Sequence, residues 1–421
     1  MKFLFLFILT LLFISTNAQN NITYQNDLQG LKVIIEKTTS FKSQMIGKKK
    51  NDYNNLYSVL AADTTKELSS YEYFYNLSQL LFPLRDNHIG FYQSSNYDNF
   101  KTKGSIDSFI NTKEFLDYPS YKINIDSLKS ILEKKPVDSL EGVYYYDKYY
   151  TIGLFKTSQK EYVGVLLNSI INLWKVGQIA LHLYEQEPGI FKAIYGHPLT
   201  KALILEPIEK SRNQSLINSS FYASYSQSVY SKKIVDSDYV NLPKSKSKFE
   251  LKTLDENIQY LRIQSFQRNS LTSKNSANFF DSIKNKLSFS NIIVDLRNNE
   301  GGAAKERRKY VKLLRIAKRK SNLYLLVNNG TLSQAEIFLL KVRKFKNVTV
   351  VGQTTKGKLA YGSNYGKTIK LPSRNYQIYP TDMKGRKSYL KYESYGIVPE
   401  IQLNNNSGLL TQTINLIGKR K

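Results

Sequence analysis

Apolar residues recur at helical spacing near the start of the chain, as Leu28, Leu31 and Ile35, then Leu56, Val59 and Leu60, then Phe74, Leu77 and Leu81. The polar run Lys48 to Asp52 separates the first two sets. Such a recurrence puts these side chains on one helix face, so a small helical region is predicted from about Asp27 to Phe91. It ends in Leu84-Arg-Asp-Asn-His-Ile-Gly-Phe91. From Tyr121 to Ser247 the pattern changes: segments such as 142–155 and 162–167 are rich in aromatic and β-branched residues and are punctuated by Gly, Asn and Pro. That pattern predicts a compact β domain, with Lys244-Ser-Lys-Ser-Lys248 as a solvated connector. Further on, strands are expected at 258–263, 291–296, 323–327 and 348–352. Helices are expected at 303–320, with Tyr310, Val311 and Leu314 on one face, and at 333–345. Strands alternating with helices of this length predict an α/β core with parallel pairing, whose reactive groups sit in loops at the carboxyl ends of the strands.

The expected organisation is a leader over 1–18, an N-terminal helical region over 19–118, a β-rich insertion over 119–250, an α/β domain over 251–405 and a tail over 406–421. In the leader, Lys2 precedes a run from Phe3 to Ile14 that is apolar except for Thr10, and Thr16 and Ala18 supply the small residues of a cleavage site. The run is short for a membrane span, so it reads as a signal peptide cleaved after Ala18 rather than as a retained anchor. Export to the periplasm or the extracellular space follows as the expectation.

Composition narrows the chemistry. The chain has no Cys, which removes disulfides, thiolate metal sites, a cysteine nucleophile and a lipidated N-terminal cysteine. Its three histidines, His88, His182 and His197, have no metal-ligand spacing, so neither a metal site nor a cofactor is expected. With 61 Lys plus Arg against 34 Asp plus Glu, the formal charge is +27. A charge of that sign favours electrostatic contact with an anionic envelope surface or with acidic substrates, and bears on association rather than on fold. The helix at 303–320 is dense in basic residues but lacks aromatic interleaving, so a solvated face accounts for it better than nucleic-acid binding does.

Three loops carry chemistry. In Asp295-Leu-Arg-Asn-Asn-Glu-Gly301-Gly302, consecutive glycines at a strand-to-helix turn can aim backbone amides at an anion, or can simply make the turn tight. In Val327-Asn-Asn-Gly-Thr-Leu-Ser333-Gln334-Ala-Glu336, a serine at a helix start feels the positive end of the helix dipole, and Ser-x-x-Glu is equally a capping box. Gly352-Gln-Thr-Thr-Lys-Gly357-Lys358 has phosphate-loop spacing, but Leu359 stands where a metal-binding hydroxyl is required, which excludes nucleotide binding.

Together, these segments resemble the tail-specific serine peptidases, the family of the C-terminal-processing peptidases and of the tricorn protease core. The matching pieces are Leu84 to Gly90, Tyr260-Leu-Arg-Ile-Gln-Ser-Phe266, Asp295 to Gly302, Val327 to Glu336, Gly352 to Lys358 and Gly396-Ile-Val-Pro-Glu400, in the family's order. The resemblance implies a ClpP/crotonase-like α/β core and peptide-bond hydrolysis through an acyl-enzyme on Ser333, on C-terminal or unfolded polypeptide segments. It also implies an oxyanion hole from the amides of Gly301, Gly302 and Gln334, with Glu336 in support. The family has two arrangements for the base. One uses a lysine, matched here by Lys358; the other uses a histidine and a glutamate, matched here by His88 and Glu393. Leu359 in place of the usual glycine, Lys356 as a second cation, and no recognisable peptide-binding PDZ pattern over 121–247 favour the histidine arrangement. Glu400 replaces the usual aspartate. A reading from a different class is an inactive relative that binds peptides or glycans in the envelope.

Overall fold

The computed structural model describes residues 22–63, 70–225, 228–233, 247–363, 366–404 and 407–419. The predicted leader and the first three residues of the Lys244–Lys248 run lie outside the described residues. The chain divides into two compact units, one formed by Met1–Ile234 with Ser363–Lys384, the other by Val235–Gly362 with Gly385–Lys421.

In the first unit, helices at 22–37, Thr39–Gln44, Lys48–Ala62 and Tyr71–Gln79 bury Leu28, Leu31, Ile35, Leu60, Phe74, Leu77 and Leu81 in one core, so the predicted helical faces hold. The polar run from Lys48 does not interrupt the helices. It forms the start of the Lys48–Ala62 helix and stays exposed, just ahead of the buried Tyr53, and Val59 is 70% exposed because Leu60 takes the inward position. Thr38 and Ser70 start their helices by accepting the Phe41 and Tyr73 amides at 3.2 and 3.1 Å.

The β-rich stretch opens with a helix, Ile125–Glu133, whose Leu128 and Leu132 pack on Val163, Val165 and Leu167. The strands then form a ten-stranded sheet in which consecutive strands from Gly142–Tyr146 to Leu203–Arg212 pair antiparallel. Strand Gly90–Gln93 pairs antiparallel with Leu203–Arg212 on one side and with Tyr376–Tyr379 on the other, so residues far apart in sequence extend the same sheet. Two of the histidines are structural here. The His182 ring stacks on Tyr71 at 4.0 Å, and burial pushes its pKa down to about 3. His197 Nδ1 accepts the Leu199 and Thr200 amides, which leaves Nε2 to donate to the Tyr222 carbonyl at 2.8 Å.

The second unit is built on a six-stranded sheet. Its order is Ile401–Gln402, Val348–Gly352, Asn322–Val327, Asn291–Asp295, Ile258–Ile263 and Phe249–Asp255. All neighbours are parallel except the last pair, which is antiparallel. The parallel strands are apolar on both faces, as strands covered on both sides must be. Ile292, Val294, Leu323 and Leu325 face a layer made by helices Ser270–Ile283, Ala304–Ala317 and Gln334–Val342. Ile293, Tyr324, Leu326 and Val351 face the other way, onto Leu409 and Ile417 of helix Leu409–Gly418.

The four predicted strands and both predicted helices are present. The helices are shorter than the 303–320 and 333–345 expected, ending at Ala317 and Val342. Two helices, Ser270–Ile283 and Leu409–Gly418, were not anticipated. Because the strands run parallel, the loops after Ile263, Asp295, Val327 and Gly352 all leave the sheet at its carboxyl end.

Candidate active site

The loop after Asp295 is anchored below the sheet surface. Arg297 donates from Nη2 and Nε to the Asp295 carboxylate at 2.7 and 2.9 Å, with both side chains fully buried, and Tyr260 adds a third donor at 2.6 Å. Burial pushes the Asp295 carboxyl up, but Arg297 and these hydrogen bonds outweigh it and hold the group below its ordinary range. Asn298 and Asn328 exchange hydrogen bonds at 2.9 and 2.7 Å, tying this loop to the one that follows the next strand. Asn299 continues the link, its carbonyl accepting the Leu332 amide at 3.0 Å.

Gly301 and Gly302 require their residue type. Gly301 has φ +83°, and a Cβ there would lie 2.7 Å from Gln334 N and 2.9 Å from Ser333 Cβ. At Gly302, φ +132°, a Cβ would lie 2.1 Å from the Phe266 carbonyl oxygen. Phe266 bridges this turn, donating to Gly301 O at 2.9 Å and accepting from Ala303 at 2.6 Å. Only glycine lets the three loops approach this closely. The Gly301 amide donates to Asn299 Oδ1 at 2.9 Å. The Gly302 amide has no partner among the described residues.

Ser333 immediately precedes helix Gln334–Val342 with φ +57° and ψ −120°, a conformation a β-substituted residue adopts only at a cost. Its amide is shared between the Lys358 carbonyl at 2.8 Å and Glu336 Oε2 at 3.1 Å. The next amide, that of Gln334, has no partner among the described residues, as expected at the first position of a helix.

Glu336 is fully buried and does more than cap. Besides the Ser333 amide, its carboxylate accepts Thr355 Oγ1 at 2.6 Å and the Gly357 and Lys358 amides, both at 2.9 Å. Burial raises its pKa, and these hydrogen bonds offset part of that rise. Thr355, which the sequence reading passed over, carries the link onward: its hydroxyl accepts the Ile397 amide at 2.8 Å. Gly357 and Gly396 meet so closely that a Cβ on Gly357 would lie 2.6 Å from Gly396 N.

Lys358 is half-buried, with both its backbone groups committed to the Ser333–Glu336 turn. Glu393 is fully buried, and its Oε2 accepts the Leu359 and Ala360 amides at 2.9 and 2.7 Å. Glu400 bonds the Val350 amide and pairs with Arg343 at 3.2 Å, so it joins a strand to a helix end. His88 belongs to the first unit, where its amide donates to Asp86 Oδ1 at 3.2 Å and Asp86 Oδ2 accepts Thr381 Oγ1 at 2.5 Å. The second unit therefore gathers Gly301, Gly302, Ser333, Gln334, Glu336 and the backbone of Lys358 at one loop cluster, with Glu393 bracing the loop beyond Lys358.

The model of Peptidase family S41 matches residues 257–320 and 305–403 in two overlapping stretches. A comparison with curated protein sequences gives no match. Among solved structures, the chain is similar to the photosystem II D1 C-terminal processing protease, at 12% identity over 91% of this chain and 94% of that one, with a TM-score of 0.36. It is similar to the tricorn protease at 12% identity over 94% of this chain and 37% of that one, with a TM-score of 0.34. A lipoprotein from Streptococcus agalactiae shares 20% identity over 41% of this chain and 70% of that one, with a TM-score of 0.29. The stretch that carries Ser333, Glu336, Lys358 and Glu393 is thus the stretch that matches peptidase family S41, a family of serine-type peptidases and the one its motifs resemble.

Proposed function

We propose that the chain is an exported serine endopeptidase that uses Ser333 as nucleophile and acts on C-terminal or unfolded polypeptide segments. The observation that carries this reading is the strained Ser333 backbone at the head of a helix, beside two amides, those of Gly302 and Gln334, that have no partner among the described residues. Strain held at a loop cluster, with donors left open around it, suits a developing anion better than it suits a simple cap.

In the proposed reaction, Ser333 Oγ attacks the scissile carbonyl carbon and a base takes its proton. The carbonyl oxygen becomes an oxyanion between the Gly302 and Gln334 amides; Gly301, whose own amide is spent on Asn299, provides the close approach. Collapse breaks the C–N bond, and the protonated base returns its proton to the leaving amine. Water then attacks the Ser333 ester by the same route in reverse, releasing the acid and restoring the hydroxyl. We assign the base to His88, with Glu393 as its carboxylate, following the family arrangement that the rest of the sequence favours.

A second reading makes Lys358 the base, and one observation favours it: the Lys358 carbonyl accepts the Ser333 amide at 2.8 Å, so the two residues are neighbours. A lysine acting so must be neutral near pH 7. Casein turnover by His88→Ala and Lys358→Met tests the choice. Loss in the first with retention in the second supports His88; the opposite result replaces it with Lys358. Export is tested by fractionating cells and sequencing the mature N-terminus, for which Gln19 is expected.

A further inference from the structure

A second concave site lies within the same unit, at the far end of the helix that Ser333 begins. A groove of about 600 Å³ is bounded by the end of helix Gln334–Val342, the last turns of helix Ala304–Ala317 and the segment 386–392. Six cations line it: Arg315, Lys341, Arg343, Lys344, Arg386 and Lys391. No carboxylate among the described residues does. Arg343 is matched by Glu400 at 3.2 Å, while no ion pair joins Lys341, Lys344 or Arg386 to any described residue.

Cations at a helix carboxyl end are ordinary, since they face the negative end of its dipole. That explains Arg315, Lys341 and Lys344, each in or just past the last turn of its helix, but not Arg386 and Lys391, which come from the segment 386–392. One turn before Val311 and two before Arg315, on the same helix face, Arg307 is only 5% exposed, and its Nε and Nη1 have no hydrogen-bond partner among the described residues. A buried guanidinium with unmade bonds costs free energy unless something supplies acceptors. Lys341 is held below the ordinary lysine range by desolvation and then by the charges of Arg307, Arg386, Arg308 and Lys344. These cations are therefore close enough to repel one another. The repulsion is relieved by an anion and persists without one.

The groove has the volume of a small-molecule site, not of a flat nucleic-acid or membrane face. Several cations around so small a space call for high negative charge density. A phosphoryl group carries up to two charges on three acceptor oxygens and suits the arginine fork, whereas carboxylates would need more atoms for the same charge. Ser388 and Tyr389 add hydroxyls at the same wall. We propose that this groove binds a compact polyanion carrying two or more phosphoryl groups. The segment that forms one wall runs on to Glu393, so an occupant also braces the approach to that residue.

The test is titration calorimetry of the purified chain with inorganic tripolyphosphate at low salt. One saturable site is expected, weakened at least tenfold in Lys341→Gln/Arg386→Gln and unchanged in Lys48→Gln/Lys49→Gln, which removes two exposed cations of the other unit. Where the first pair fails to fold, Lys344→Gln at an exposed position is expected to weaken binding about threefold. Absence of saturable binding overturns the proposal. So does binding insensitive to these groove substitutions, which would mark diffuse attraction to the basic surface. Saturable binding of hexaglutamate with none of tripolyphosphate would reassign the groove to an acidic peptide and overturn it too.

Discussion

The Glu336 carboxylate accepts the Ser333 amide at 3.1 Å from a fully buried position, and the same carboxylate accepts the Thr355 hydroxyl and the Gly357 and Lys358 amides. One side chain thus holds the serine turn against the loop that follows strand Val348–Gly352. The usual cap of a helix start satisfies its own helix. This one spends most of its acceptor capacity on another loop, which makes it a positioning residue for Ser333.

Glu336→Gln puts an amide donor where four donors converge. It should cost about 1–3 kcal/mol of stability, the range for leaving buried polar groups unmatched. Peptidase activity should fall at least tenfold through kcat with KM little changed, and Glu336→Asp should recover part of it. Thermal unfolding and steady-state kinetics of the two variants check this; equal losses in both would argue for mere capping.

Gly301→Ala brings a methyl group to within 2.7 Å of the Gln334 amide at a positive φ. Backbone strain of this kind costs about 1–3 kcal/mol. The methyl also crowds an assigned oxyanion donor, and losing such a donor lowers kcat by about 10²–10³. Activity should therefore fall far more than the melting temperature does.

The pH dependence of kcat/KM distinguishes the two bases. With His88, the rate falls toward acid as the imidazole takes up its proton, and Lys358→Met keeps that limb. With Lys358, the acidic limb vanishes in the lysine variant and survives in His88→Ala.

Stability in the first unit carries its own signature. Glu209 is fully buried among Tyr195, Lys210 and Asn218 donors, and burial, with the Glu206 charge beside it, raises its pKa to about 8 from the ordinary 4.5. The folded state then binds a proton that the unfolded state releases between those values, so stability falls as pH rises from about 4.5 to about 8. Denaturant midpoints measured across that window should slope downward, and Glu209→Gln should flatten the slope.

Much of the second unit was legible because its strands are strongly apolar and its helices amphipathic: Ile258–Ile263 and Val348–Gly352 fall where the pattern put them. Helix Ser270–Ile283 escaped because its buried positions include Thr272 and Ser276, which carry no apolar periodicity. The joining of Tyr376–Tyr379 to Gly90–Gln93 escaped because pairing between distant strands leaves no local trace. At the site, the glycine pair and Ser333 stood out as loop motifs, but their roles came from the family resemblance, since spacing alone also fits a tight turn and a capping box. The sharing of the Gly301 amide with Asn299 and the role of Thr355 were not legible, since both depend on how separate loops meet.

The central claim is that Ser333 is the nucleophile. Intact-mass spectrometry after incubation with a fluorophosphonate tests it most directly. The account predicts one adduct, mapped to Ser333 by peptide sequencing and absent from a folded Ser333→Ala variant. Undiminished labelling of that variant, or no labelling of the wild-type chain under conditions where a known serine peptidase reacts fully, would contradict it.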